Sequence, residues 1–208
     1  MKKFFCFLTC LALSVAAMAQ TAEEILDKMG DIFSQKEQDG LVMTVQTKIP
    51  ILGTMNMKVY SLDELSRMEA TMMGANLIIW NDGVTEWTYN SKDNELEIAN
   101  ASPSSGEDGD ADMFKDVADG YDVSIKKETA ESWYIHCKKS KTNPNKDDPK
   151  SMDIVVAKGT YYPISLSTKI NGVTMTMKDI SFGVTKDQVT FDPNKYASAK
   201  VVDKRDSK

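Results

Sequence analysis

Apolar positions along this chain follow two rhythms. After Thr21, residues Ala22, Ile25, Leu26, Met29, Ile32 and Phe33 recur at helical spacing, while Glu23, Glu24, Asp27, Lys28 and Asp31 fall elsewhere. Thr21 and Glu24 stand in the relation of a capping box, in which hydroxyl and carboxylate each accept a hydrogen bond from the other residue's backbone N–H. The spacing therefore predicts a helix that starts at Thr21 and ends before Asp39-Gly40. It has one apolar stripe, which must cover another apolar surface.

Past Gly40 the rhythm changes to period two. Leu41, Met43 and Val45 alternate with polar neighbours, as do Met55, Met57 and Val59, and then Met68, Ala70 and Met72. Residues 77–80 run into Asn81-Asp82-Gly83, a hairpin signal, and the chain returns with Trp87 and Tyr89 on one face. A second turn at residues 90–94 leads to Leu96 and Ile98. Residues 101–112, rich in Ser, Gly, Glu and Asp, read as an exposed loop. A short helical piece is expected after it, with Met113, Phe114 and Val117 on one side and Gly120 as its stop. Strands resume over residues 121–125, 133–137, 152–156, 164–170, 173–180 and 189–191, with Asn171-Gly172 as another hairpin turn. Residues 198–208 are polar and expected to fray.

These patterns predict an α+β fold with about ten strands in a strongly curved antiparallel sheet. A sheet of that size tends to curl. With one apolar face and a helix stripe to bury, the expected form is a half-open barrel with helices covering its concave face. No internal repeat or domain-splitting linker interrupts it, so residues 20–197 are expected to form one domain.

Composition narrows where such a domain works. Residues 1–19 read as a secretory signal peptide: Lys2 and Lys3, an apolar run over residues 4–15, then Ala17-Met18-Ala19 with small residues where a signal peptidase reads. Phe7-Leu8-Thr9 puts no small residue before Cys10, which disfavours a lipoprotein anchor there. Cleavage after Ala19 removes two lysines and no acid, taking the net charge from −6 to −8, and leaves Cys137 as the sole cysteine. A chain this acidic repels phosphate, which argues against nucleic-acid partners. One cysteine supplies neither an internal disulfide nor a thiolate metal cage. No later stretch reaches the ~20 apolar residues of a spanning helix, so an exported chain without a membrane-spanning helix is expected.

Ser66-Arg67-Met68-Glu69 is followed by Trp80-Asn81-Asp82-Gly83-Val84-Thr85-Glu86-Trp87-Thr88-Tyr89, a "DG-x-x-x-W-x-Y" hairpin. In these residues, and in the order of features over nearly the whole chain past residue 19, the sequence resembles the LolA/LolB-type periplasmic lipoprotein carriers, which implies a periplasmic monomer. Tyr121-Asp122-Val123 through Trp133-Tyr134-Ile135 is similar to that family's central strand pair. Tyr162-Pro163-Ile164-Ser165-Leu166 with Asn171-Gly172 is similar to its "P-x-x-L…G" hairpin, and Phe191-Asp192-Pro193 to its terminal "F-x-P" segment.

The resemblance implies an apolar cavity for lipid or lipoprotein acyl chains, closed by a helical lid bearing Ile25, Met29 and Phe33. The candidate ligand-binding residues are Met43, Met55, Met57, Met68, Met72, Trp87, Tyr89 and Arg67. Thirteen methionines is a high count, and many, Met175 and Met177 included, fall at strand positions. Flexible, polarisable thioethers suit a surface that repacks around varied ligands, although ordinary core packing would place them there too. On the alternation Arg67 points away from Met68, as a solvated strand arginine would. The resemblance instead implies a donor that holds a lid loop closed. Inner- or outer-membrane partner proteins would follow from the same role. The alternative is a sensor or protein-interaction module with the same fold and a filled core.

Catalysis and cofactors find little support. His136 lies between Ile135 and Cys137, so alternation puts His136 and Cys137 on opposite faces, unsuited to a base–nucleophile pair. Neither a nucleophile elbow nor a phosphate loop is present. Asp108, Asp110 and Asp112 occupy calcium-loop places one, three and five. Met113, however, stands where that loop needs glycine, and Asp119 where it needs a bidentate glutamate, so a solvated acidic loop without metal is expected.

Overall fold

The computed structural model describes residues 20–51, 53–72, 74–101, 114 and 117–205. The expected signal peptide, Cys10, Asp108, Asp110, Asp112 and Met113 lie outside these residues. Helix α1 spans Ala22–Lys36 and has the expected cap: Thr21 Oγ1 accepts from the Glu24 N–H at 3.2 Å, and the Glu24 carboxylate accepts from the Thr21 N–H at 3.1 Å. A 3-10 turn over Glu37–Asp39 follows, and the chain leaves it at Gly40 with φ +74°. A Cβ at this position would lie 2.7 Å from Val184 Cβ and 2.9 Å from Ser61 O, so only glycine fits.

Among the described residues twelve strands then form one sheet, two more than expected. They are β1 (Leu41–Ile49), β2 (Gly53–Leu62), β3 (Leu65–Met72), β4 (Ala75–Asn81), β5 (Thr85–Asn90), β6 (Glu95–Asn100), β7 (Tyr121–Glu128), β8 (Ser132–Lys139), β9 (Ser151–Ala157), β10 (Pro163–Ile170), β11 (Val173–Phe182) and β12 (Lys200–Asp203). Their order is β12-β6-β5-β4-β3-β2-β1-β11-β10-β9-β8-β7. Consecutive hairpins build β1 to β6 and β7 to β11, and β11 returns to pair antiparallel with β1. Only β12 runs parallel to its neighbour β6. The sheet is open, with β7 and β12 at its edges. At Asn171-Gly172 both residues have positive φ, +50° and +85°, the backbone that a two-residue hairpin turn requires.

Three expectations need correction. Residues 189–191 are not a strand: a short helix α2, Lys186–Val189, ends at the first of them and the other two follow outside any helix or strand, and α2 is capped by a second box in which the Gln188 side chain accepts from the Thr185 N–H at 2.8 Å. The tail does not fray throughout, because Val201 and Val202 sit in β12 opposite Leu96 and Glu97. Ion pairs from Lys200 to Glu95 (2.8 Å) and from Lys204 to Glu97 (2.7 Å) flank them. The described part of the expected internal helix, residues 117–120, is a turn.

Strand pairing assigns every side chain to a face, because directly opposed residues share one. Leu41, Met43 and Val45 of β1 share a face with Phe182 and Met177 of β11, Leu166 of β10, Ile154 of β9 and Ile135 of β8. Helix α1 packs on this face, and Ala22, Ile25, Leu26, Met29 and Phe33 join those strands in the main core. Phe33 is 0% exposed, with its ring centroid 4.6 Å from Phe114 and 5.5 Å from Phe182. Helix α2 packs on the other face, in a second cluster with Tyr60, Val42, Leu62 and Leu65. The two helices therefore do not share one face of the sheet as expected.

Candidate functional site

The apolar face under α1 does not end where α1 ends. Across β11, β1, β2, β3 and β4 the pairing sets Met175, Thr47 and Met55 in one row. Met177, Val45, Met57, Ala70 and Leu77 form the next. Met43 opposes Val59, which opposes Met68, which opposes Ile79; Met72 opposes Ala75. All five candidate methionines thus lie on the α1 face. Their exposure is graded. Met43 is 5% exposed and belongs to the core, Met55, Met57 and Met68 are half-buried, and Met72 is 44% exposed. Four strand spacings make the strip about 19 Å wide. Leu77 and Ile79 extend it, and the same alternation in the sequence identifies them.

On β5 this face turns polar. Glu86, Thr88 and Asn90 lie opposite Asn81, Ile79 and Leu77. The methionine strip is therefore bounded by the packed helix on one side and a polar margin on the other.

Arg67, Trp87 and Tyr89 are elsewhere. Arg67 opposes Tyr60 and Trp80, Trp80 opposes Trp87, and all of these side chains lie on the face away from α1. There the C-terminal segment covers them. Phe191 stacks on Trp87 at 5.0 Å and 12°, and Tyr196 sits 4.6 Å from Tyr89 and 5.2 Å from Trp80. The Arg67 guanidinium lies 5.6 Å from both the Tyr60 and Trp80 rings, donates to the Gln188 carbonyl at 3.3 Å and pairs with Glu69. Its Nε is buried without a partner. Burial raises the Tyr196 hydroxyl above its ordinary pKa. The arginine does hold a helical turn, but that turn is α2, across the sheet from α1. The sequence could not reveal this, because it depends on Phe191 and Tyr196 folding back across strands far away in the chain.

The same face carries two open hollows. One, of about 430 Å³, is lined by Thr44, Asn56, Lys58, Glu69, Thr71 and Asn76 among others. The second, of about 620 Å³, lies by Tyr162, Ile164, Ser165, Thr176 and Lys178. The first also touches Ala70 and Leu77 of the strip's second row, whereas Met55, Met57, Met68 and Met72 line neither hollow.

His136 and Cys137 do fall on opposite faces. Cys137 is fully buried, and burial pushes its thiol up to about 11. His136 Nδ1 lies 2.7 Å from Asp153 Oδ1, a cross-strand pair on the polar face, with Ser124 opposite His136 on β7. Among the described residues no group of three or more His, Cys, Asp or Glu side chains is placed to hold a metal ion. No helix among them is long and apolar enough to cross a membrane.

Neither a protein-family model nor a curated protein matches the chain. Solved structures do. The lipoprotein LppX of Mycobacterium tuberculosis matches with a TM-score of 0.51 at 11% identity, over 79% of this chain and 98% of that one. An uncharacterized conserved protein from Thermus thermophilus matches with a TM-score of 0.48 at 18% identity, over 88% and 99% of the two chains. A LolA superfamily protein from Nitrosomonas europaea matches with a TM-score of 0.35 at 14% identity, over 85% and 100%. The chain shares the fold of LppX. At these identities the likeness concerns fold alone.

Proposed function

We infer that this protein is a periplasmic carrier or binding protein for lipid or lipoprotein acyl chains, which lie along the methionine strip beside α1. The observation that carries this reading is the strip itself. It continues the core face, is contiguous over five strands, and is left half-open where α1 stops. Contiguous apolar surface of this kind marks a binding site more often than scattered single residues do. Met55, Met57, Met68 and Met72 are the proposed contacts, with Met175, Met177, Leu77 and Ile79 beside them. Arg67, Trp87 and Tyr89 are assigned to holding the C-terminal segment on the opposite face.

The energetics are workable. Each CH2 removed from water contributes about 0.8 kcal/mol, so a chain of ~12 carbons gains on the order of 10 kcal/mol. Swinging α1 aside would expose Ile25, Met29 and Phe33 at roughly 1.5–3 kcal/mol each, a cost the same chain offsets if it takes their place. Binding along the strip needs no such opening; the lid becomes necessary only for full enclosure.

The test is to purify the protein from the periplasmic fraction of expressing cells and look for co-eluting lipid by mass spectrometry. Bound acyl lipid, displaced by a fluorescent fatty acid, is the expected result. Protein that is lipid-free and does not bind the fluorescent fatty acid would overturn the carrier reading in favour of an interaction module.

A further inference from the structure

Strand positions favour β-branched and aromatic side chains, yet the α1 face of this sheet is thick with thioethers. They divide into two populations. Met29 of α1 and Met43 and Met152 of the strands beneath it are buried in the core, whereas Met55, Met57, Met68, Met175 and Met177 are half-buried and Met72 is 44% exposed. Met175 and Met177 lie on β11 and pack against the core; the four on the adjacent strands β2 and β3 share one face, so whatever reaches one can reach the others. They are also the central residues of the strip.

A thioether is apolar until it is oxidised; the sulfoxide is strongly polar. We propose that Met55, Met57, Met68 and Met72 form an oxidation site through which peroxide converts the strip from an apolar to a polar surface and releases its ligand. The release half of this rests on the carrier reading above. In each event the sulfur lone pair attacks one oxygen of hydrogen peroxide. An S–O bond forms, the O–O bond breaks, and the remaining oxygen leaves as water once proton transfer is complete. Sulfur is oxidised by two electrons and the peroxide is reduced by two. The change is reversible by methionine sulfoxide reductases. Cys137, on the same face, does not compete: it is fully buried, away from the accessible strip.

The arrangement predicts order as well as effect. Met72 should oxidise first, the half-buried Met55, Met57, Met68, Met175 and Met177 next, and Met29, Met43 and Met152 only when the fold opens.

The test treats the full protein with graded hydrogen peroxide. Peptide mass mapping then assigns each added oxygen, and the affinity for a fluorescent fatty acid is measured before treatment, after it, and after methionine sulfoxide reductase. The expected result is oxygen on Met55, Met57, Met68 and Met72 at doses that spare the buried three, at least a tenfold loss of probe affinity, and recovery after reduction. In a variant carrying Met55→Leu, Met57→Leu, Met68→Leu and Met72→Leu, whatever affinity it has for the probe before treatment, the same treatment should no longer lower it. If that variant does not fold by circular dichroism, Met72→Leu alone should delay the first step of the loss. Oxidation that is uniform, or confined to the buried three, overturns the proposal. Binding that survives complete oxidation of the four sinks the switch and leaves the carrier reading standing. No binding before treatment sinks both.

Discussion

Replacing Phe33 by alanine asks whether α1 is a settled part of the core or a loosely closed lid. The ring is fully buried and touches Phe114 at 4.6 Å and Phe182 at 5.5 Å, joining the helix to a residue of the β6–β7 connection and to the end of β11. Truncation removes the transfer energy of the ring, leaves a cavity and breaks two aromatic pairs. Phe→Ala changes in such places cost about 3–5 kcal/mol. Domains of this size are stable by about 5–15 kcal/mol, so the variant should fold but be markedly weakened. With a urea slope of about 2 kcal/mol per molar, the unfolding midpoint should fall by roughly 1.5–2.5 M. The assay is equilibrium urea denaturation followed by tryptophan fluorescence and by far-ultraviolet circular dichroism. A loss below about 1 kcal/mol with an unchanged slope would refute the reasoning, because α1 would then spend most of its time off the sheet.

Other consequences follow from single residues. Gly40→Ala places a Cβ against Val184 and Ser61 O at φ +74°, and strain of about 1–3 kcal/mol together with the clash should lower the thermal midpoint by several degrees; an unchanged midpoint would contradict the packing described. Cys137 has its thiol raised to about 11 from 9.0 by burial. The neutral thiol thus stabilises the fold fully below pH 9, and this contribution is lost as pH rises through about 11. Native protein should therefore resist thiol reagents at pH 8, and Cys137→Ala should flatten the alkaline limb of the stability profile; rapid labelling at pH 8 would contradict the burial. Met57→Glu should cut fluorescent fatty-acid affinity at least tenfold while the protein stays folded. Trp87→Ala should cost about 3 kcal/mol of stability with affinity within twofold of the parent, since Trp87 packs Phe191 on the opposite face; the reverse pattern would exchange the two faces.

Much of this arrangement was legible where the signal is local. Thr21 and Glu24 lie three residues apart, and their box formed as the sequence implied. The alternation of Met55, Met57, Met68 and Met72 placed them on one face because a strand's side-chain period tolerates no drift. A similar local signal stands at Thr185 and Gln188, where the alternation of Val189 and Phe191 suggests a strand and a capped helical turn forms instead. What could not be read was non-local. Val201 and Val202 are two apolar residues in a charged tail, and they become a strand only because β6 offers an open edge. Trp87 and Tyr89 look like ligand aromatics until Phe191 and Tyr196 are seen stacked against them. Arg67 and Met68 are neighbours in sequence but face opposite ways, as the period-two alternation requires, so the two cannot line one surface.

The central claim is that an acyl chain lies on the methionine face. Photocrosslinking with a diazirine fatty acid, mapped to single residues by mass spectrometry, tests it most directly. The account predicts saturable labelling at Met55, Met57, Met68, Met72 and their neighbours Leu77 and Met175, competed by unlabelled fatty acid. Labelling centred on Trp87, Tyr89 or the hollow beside Asn56 and Lys58, or labelling that no competitor reduces, would contradict it.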